Sequence, residues 1–388
     1  MPQYTILYVA PEITIPGTHG GSTHAQEAIE SFARLGHRVI LLSKKQNNLR
    51  RKEKKGNLII YRVPIGSNSA VKNITYLFWT IMLVPFFIQW YNVDVVYERA
   101  RIGAGWSILF ARVFHRKSVY ELNEPLESMG EGYSIFRSLI IWWGRWIAEK
   151  ATIVTGSDEI FFKHIAKKNT LLVDYGANPE KFTPKISAGE IIEKYGLTQG
   201  KVVFYSGSFA PWHHMPIIIR SARQVIKKDK KVKYLLVGTG NQYALAKQMI
   251  HRLNLTKNVI LGGAIPYQQM PQYVNTATIT LAIFDESHPM IKKYGYFYSP
   301  IKIHEYKAAG KPIIASNIGN LKKYVKHGKN GYLVSSENLL KELTKYTQKL
   351  LKNKKQCEEM GKINRNEIVH VYNWDVTNKK IIEALAQK

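Results

Sequence analysis

Ser299, Pro300, Lys302 and Glu305 stand close together in the segment FYSPIKIHEYKAAGKPIIAS, residues 297–316. Ser299 predicts a helix N-cap, Pro300 suits the first turn and Gly310 can close the far end. A helix start presents free N–H groups and a positive partial charge, and Lys302 adds a full charge there. Glu305 follows one turn later. A carboxylate is a poor phosphate ligand but a good acceptor for hydroxyls. The set therefore predicts a ligand that carries both phosphate groups and sugar hydroxyls.

Other residues with chemical potential follow predicted strands. Gly20 and Gly21 precede a helix expected over Ser22–Leu35, where two glycines let backbone approach a phosphate. Ser206, Gly207 and Ser208 lead into Trp212 and His213, and Gly238 and Gly240 close a third strand. Each could also be an ordinary turn. No complete GxGxxG or GxxxxGK[ST] pattern occurs, which counts against a nicotinamide dehydrogenase and a P-loop nucleotidase. Glu98, Arg99, Glu121 and Glu124 form a charged set at two strand ends. They read either as internal ion pairs or as groups that orient an acceptor.

The elements that must position these residues alternate strand and helix. Strands are expected at 4–10, 38–42, 58–63, 93–97, 118–122 and 151–155, and the rhythm restarts at 201–205, 234–237, 259–261, 279–283 and 313–315. Such βαβ repetition predicts parallel sheets covered by helices on both faces. At 388 residues the chain is long enough for two such domains, joined near residues 183–192.

The 56 Lys+Arg against 28 Asp+Glu give a net charge of +28, which implies an anionic partner or a merely solvated basic surface. The run from Lys44 to Lys55 reads as a solvated loop or as a membrane-surface contact. One cysteine, Cys357, excludes an internal disulfide, and the first residues read as a strand and not a signal peptide, so a cytoplasmic location is expected. Residues 74–91 carry no charge. A buried helix packed on a sheet is the favoured reading, with an interfacial contact or a bilayer span as alternatives.

Taken in order, these residues resemble the retaining, nucleotide-sugar-dependent glycosyltransferases of the large group 1, family 4 type. The resemblance spans nearly the whole chain, through Gly20-Gly21, VDYGANPEKFTP at 173–184, residues 206–213, 235–240, 261–273, 297–316 and Trp374. YER at 97–99, ELNEP at 121–125, GSFAPWH at 207–213 and SPIKIHEY at 299–306 sharpen it to a subgroup. It implies a GT-B fold: two Rossmann-like, doubly wound parallel-sheet domains facing across a cleft. Residues 1–183 would bind the acceptor, 193–365 the nucleotide sugar, and 366–388 would cross back as a helix.

The resemblance also implies roles. Ser299, Pro300, Ile301 and Lys302 would meet the donor diphosphate, Glu305 the ribose, and Ile265 the nucleobase. Gly20, Gly21, Ser206, Gly207, Ser208, His213, Gly238 and Gly240 would complete the donor site. Glu305, Lys302, Asn123 and Glu124 are the catalytic candidates, with Glu98, Arg99 and Glu121 on the acceptor side. Three departures stand out. Phe297 replaces the first motif glutamate, the usual basic pair is replaced near Phe209 and His213, and a cleft histidine falls near Asn123. Lys302 and His213 are the candidates to restore positive charge.

No cofactor is implied beyond a UDP- or GDP-sugar donor, and Mg²⁺ on the diphosphate stays open. The expected partners are a glycan or lipid-linked acceptor and an anionic membrane surface, with peripheral attachment to the inner face of the cell membrane. No nucleic acid is expected, since no RNP, KH or zinc-finger pattern occurs. A basic nucleic-acid-binding protein and a degenerate, non-catalytic chain of the same fold are the alternatives.

Overall fold

The computed structural model describes residues 2–17, 19–46, 48–129, 131, 135–297 and 299–388. The chain divides into two compact units, one of residues 1–17, 21–175 and Trp374–Lys388, the other of residues 18–20 and Gly176–Asn373. Eight strands build the first unit's sheet: β1 (Thr5–Thr14), β2 (Arg38–Lys44), β3 (Lys52–Lys55), β4 (Leu58–Val63), β5 (Val95–Arg99), β6 (Lys117–Glu121), β7 (Ile153–Gly156) and β8 (Thr170–Leu172). Their order is β3-β4-β2-β1-β5-β6-β7-β8, parallel throughout except for β3 against β4. The winding reverses at β1, which lies between β2 and β5. Such a reversal opens a crevice at the carboxyl ends of the strands.

Strand alternation explains the two covered faces. Ile6, Tyr8 and Ala10 pack with Ala25, Ile29 and Phe32 of α1 (Gly20–Arg34). Leu7 and Val9 point the other way, onto Val84, Phe87 and Ile88 of α2 (Ser69–Trp90). The chain's last helix, Trp374–Ala386, adds Trp374, Ile381, Ile382 and Leu385 to the first of these cores. Three shorter helices follow α2: α3 (Trp106–Val113), α4 (Leu126–Met129) and α5 (Arg137–Lys150), with α3 packed on both α2 and α5.

Two sequence expectations change here. The uncharged run does form a helix, α2, but the sheet covers only one of its sides. Ile74, Phe78, Met82, Phe86 and Trp90 recur every fourth residue and stay exposed, Ile74 at 67% and Trp90 at 69%. Among the described residues, Val71–Trp90 is the helical stretch long and apolar enough to cross a membrane by length and composition. The basic run is not wholly a loop either, because Lys52–Lys55 forms the antiparallel edge strand β3. Glu53 holds it through buried Arg62 at 2.8 Å, and exposed lysines discourage pairing with another sheet edge.

The second unit's sheet contains β9 (Val202–Ser206), β10 (Lys233–Val237), β11 (Val259–Gly263), β12 (Ile279–Ala282), β13 (Ile313–Ser316) and β14 (Gly331–Val334). Its order is β11-β10-β9-β12-β13-β14, all parallel, so the winding reverses between β9 and β12. Val203 and Tyr205 serve one core, Phe204 and Val202 the other. The stretch expected as a joining loop holds a short helix, Gly189–Lys194.

Candidate functional site

In the second unit the candidate residues collect at the carboxyl ends of β9 and β12. The second helix after β12 spans Ile301–Ala308, with Pro300 rather than Ser299 at its N-cap. Ser299 is turned inward: its hydroxyl shares a hydrogen bond with His304 Nε2 at 3.1 Å and accepts one from Tyr324 at 3.2 Å. The predicted side-chain cap is therefore absent. No side chain caps this helix start, and within its first turn the Ile303 amide donates to the Pro300 carbonyl at 3.0 Å.

Lys302 projects from this turn over aromatic rings. Its Nζ lies 4.4 Å from the Tyr205 ring centre and 5.5 Å from that of Phe284, and it donates to Tyr205 Oη at 3.3 Å. Burial lowers its pKa to about 7, against the opposing charge of Glu305. Glu305 is itself buried, one helical turn along from Lys302.

Glycines let this lysine approach the strand ends. Gly207 has φ +139°, and a Cβ there would meet Lys302 Nζ at 2.4 Å. Gly238, at φ +131°, allows the loop after β10 to stack on the loop after β9, because a Cβ there would lie 1.8 Å from the Gly207 carbonyl oxygen. Gly240 plays the same part beneath Phe209. These two glycines thus shape the site through loop packing. Ser206 is buried and bound through its amide and hydroxyl to Tyr306 Oη, at 2.8 and 3.0 Å, whereas Ser208 is exposed. Ile265, half-buried after β11, packs on the core beside it.

His213 does not restore positive charge. Burial, then the neighbouring Lys302 charge, pushes its pKa well below the ordinary histidine value. Its Nδ1 lies 2.6 Å from the Ser208 carbonyl oxygen, which can only accept, so Nδ1 carries a proton. Phe297 is buried and offers no acceptor in place of the missing glutamate.

In the first unit the charged set is internal. Glu98 is fully buried and accepts from Tyr76 Oη at 2.5 Å, from the Gly105 amide at 3.0 Å and from the Ser107 hydroxyl. Burial raises its pKa. Arg99 donates to the Gly21 carbonyl at 2.8 Å and to Asn123 Oδ1 at 2.9 Å, and its Nε lies 3.6 Å from Glu121. Glu121 also receives His24 Nε2 at 2.6 Å and Tyr8 Oη at 3.4 Å. Burial opposes its ionisation, but His24, Arg99 and Tyr8 outweigh it and hold its pKa below the usual value.

The expectation that Glu98, Arg99 and Glu121 face an acceptor is therefore corrected. All three are buried with their polar atoms engaged, so they position other groups. Arg99 and Glu121 fix the start of α1, where Gly20 and Gly21 occupy the first helical turn and not a preceding loop. They also fix Asn123, whose Oδ1 accepts from Arg99 and, at 3.0 Å, from Tyr175. Glu124 is half-buried and accepts from Ser128 Oγ at 2.6 Å, with its pKa raised by burial.

Sequence reasoning missed His24, Tyr175, Tyr205 and Tyr306. A signal existed for His24: it lies one turn after Gly20-Gly21 in the polar run GGSTHAQE, much of which is buried. Among the described residues, no three His, Cys, Asp or Glu side chains are placed to hold a metal ion.

Two family models match the chain: "Glycosyltransferase Family 4" over residues 18–160 and "Glycosyl transferases group 1" over residues 187–367. Poly(ribitol-phosphate) alpha-N-acetylglucosaminyltransferase of Staphylococcus aureus is 25% identical over 173 residues, 44% of this chain and 32% of that protein. The chain spans about a third of that relative's length and about half that of a putative Bacillus subtilis glycosyltransferase, 24% identical over 51% of this chain. Among solved structures, sucrose-phosphate synthase of Thermosynechococcus elongatus superposes with a TM-score of 0.76 at 18% identity, covering 100% of this chain and 99% of that one. Anabaena HepE in complex with UDP and glucose superposes with a TM-score of 0.72 at 17% identity, covering 100% of both chains. These likenesses establish the GT-B fold.

Proposed function

This chain belongs to the family 4 type glycosyltransferases of GT-B fold, and from that premise we propose that it transfers a sugar, with retention, from a nucleotide diphosphate sugar to a glycan or lipid-linked acceptor. The observation that carries the reading is the placement of Lys302 in the first turn of a helix at the β9/β12 reversal, with Glu305 one turn on. The positive end of the helix and the ammonium suit a diphosphate, and the carboxylate suits ribose hydroxyls. The complexes of HepE with UDP and with UDP-glucose support a uridine donor. Gly20 and Gly21 remain donor residues by resemblance, and they stand at the start of α1, where a helix carries positive partial charge.

As the diphosphate leaves, negative charge grows on its terminal oxygen. Lys302 and the positive end of the helix would stabilise that charge in place without reorganising. Glu98 and Glu121 are buried and bonded inside the first unit, which favours a front-face substitution in which the departing phosphate accepts the acceptor's proton. Asn123 and Glu124 stay as candidates for holding the acceptor. A screen of UDP-, GDP- and ADP-sugars tests the reading. One nucleotide class is expected to raise the melting temperature by several degrees at saturating concentration, about 3 kcal/mol at 100 times Kd, and its sugar ester to be slowly hydrolysed. No thermal shift and no hydrolysis with any donor would refute it.

We also place the acceptor end at an anionic membrane surface, on the cytoplasmic side. The first unit carries both the exposed apolar stripe of α2 and exposed Arg50, Arg51, Lys52, Lys54 and Lys55. Each basic residue near an anionic leaflet contributes about 1 kcal/mol. Binding to anionic liposomes is expected to fall steeply with salt and to drop at least about tenfold when Arg51, Lys52, Lys54 and Lys55 are neutralised. A salt-resistant remainder is expected to disappear in Phe78→Asp/Phe86→Asp. Equal binding to neutral and anionic vesicles at every salt concentration would remove this part of the proposal.

A further inference from the structure

Within the first unit lies an apolar slot of about 300 Å³ between α3, α4 and α5. Trp106, Trp143, Leu126, Met129 and Leu139 line it, with Arg101 at one end. Its volume is at the low end for small-molecule pockets. The walls are braced: the Trp106 and Trp143 rings lie 5.5 Å apart, and Trp143 Nε1 donates to the Ala104 carbonyl at 2.7 Å. Glu98 holds the loop beside it through the Gly105 amide, and Gly105 itself sits at φ +117° against Ile147.

Two features point to the kind of occupant. Arg101 donates to Asn73 Oδ1 through Nη2 and lies over the Tyr76 ring at 4.4 Å, but its buried Nη1 has no hydrogen-bond partner. A buried guanidinium N–H left unpaired is costly, and an anionic oxygen would satisfy it. The second feature is the slot's exit. Leu139 is both wall and surface, and it continues into exposed Ile135, Phe136 and Trp142. A sugar would gain nothing from such an apolar path, whereas a hydrocarbon chain would be desolvated along it.

We propose that this slot binds the hydrocarbon segment next to the phosphate of a lipid phosphate, with that phosphate paired to Arg101. The inference rests on the lipid-linked form of the acceptor reading given above and assigns it a place. The phosphate supplies the missing partner of Nη1, and the tail runs past the two tryptophans towards Leu139.

Isothermal titration of the full chain with farnesyl phosphate, below its self-association concentration and without any nucleotide sugar, tests this directly. Farnesyl phosphate is expected to bind about tenfold or more tightly than farnesol, and inorganic phosphate not to bind at millimolar concentration. Arg101→Gln is expected to erase the preference for the phosphate and leave farnesol binding unchanged. Leu139→Trp, at a position more than half exposed and so tolerant of bulk, is expected to weaken both ligands. Phe78→Asp/Phe86→Asp, away from the slot, is expected to leave both as they are. Equal affinity for farnesol and its phosphate, a preference that survives Arg101→Gln, or loss of binding in the α2 variant would each overturn the assignment. Because no donor is present, failure here leaves the donor screen to decide the glycosyltransferase reading separately.

Discussion

Lys302→Ala is expected to lower turnover with the preferred nucleotide sugar about 100-fold and to weaken donor binding about tenfold. The larger effect falls on turnover because charge on the leaving diphosphate grows during the reaction. The lysine's setting adds a pH signature. With its pKa lowered to about 7 by burial, Lys302 is only partly charged in the free protein at neutral pH. A bound diphosphate favours the protonated form, so binding takes up a proton. Donor affinity is therefore expected to be greatest below pH 7 and to fall as pH rises through and above that value, approaching tenfold per pH unit. Titration calorimetry with the sugar nucleotide between pH 6 and 8.5 measures it. Lys302→Ala should flatten the profile, and a variant that keeps the wild-type slope would assign the titration to another group.

Gly238→Ala is expected to destabilise the second unit by about 3 kcal/mol or more, lowering its melting temperature by roughly 6–12 °C. The new Cβ would meet the Gly207 carbonyl oxygen at 1.8 Å at a φ of +131°. A carbonyl oxygen in a packed loop cannot swing aside as a side-chain tip would. Relief requires Gly207 to move, and Gly207 is the residue that admits Lys302. Stabilisation by donor should therefore vanish along with the lost stability. Gly200→Ala provides the comparison: φ is +76°, but nothing lies within 4 Å of the added carbon. Its cost is expected to be about 1 kcal/mol, with donor binding intact. Similar melting curves for the two variants would show that the loop stack tolerates the carbon.

These expectations mark what the amino-acid sequence made legible and what it did not. The central strands were readable because continuous apolar runs such as Tyr4–Ala10 and Tyr234–Val237 have few other stable homes. β3 was not, because Lys52–Lys55 carries no apolar face and is a strand only through its pairing with Leu58–Tyr61. The positions of Lys302 and Glu305 were legible, since helix geometry places them one turn apart. The state of Lys302 was not: its lowered pKa comes from burial among the rings of Tyr205 and Phe284, from two other strands' ends. Glu98 was found as a strand-end carboxylate, but its partners Tyr76 and Ser107 lie 22 residues before it and 9 after. Burial of that kind belongs to tertiary packing, and no local pattern announces it. α2 was misjudged for a related reason: an apolar run shows that a helix has greasy sides, but not which of them a sheet will cover.

The helix Trp374–Ala386 gives the chain's topology a consequence in time. Most of the first unit precedes residue 176, yet Trp374, Ile381, Ile382 and Leu385 complete its core from a helix made only after Asn373. On the ribosome, the β-sheet of the first unit must wait, one apolar face covered by α1 but without Trp374, Ile381, Ile382 and Leu385, while the whole of Gly176–Asn373 is made. The second unit has no such debt to the far end of the chain. The half that starts first is thus the half that finishes last, and its unfinished period lengthens with every residue between Tyr175 and Trp374.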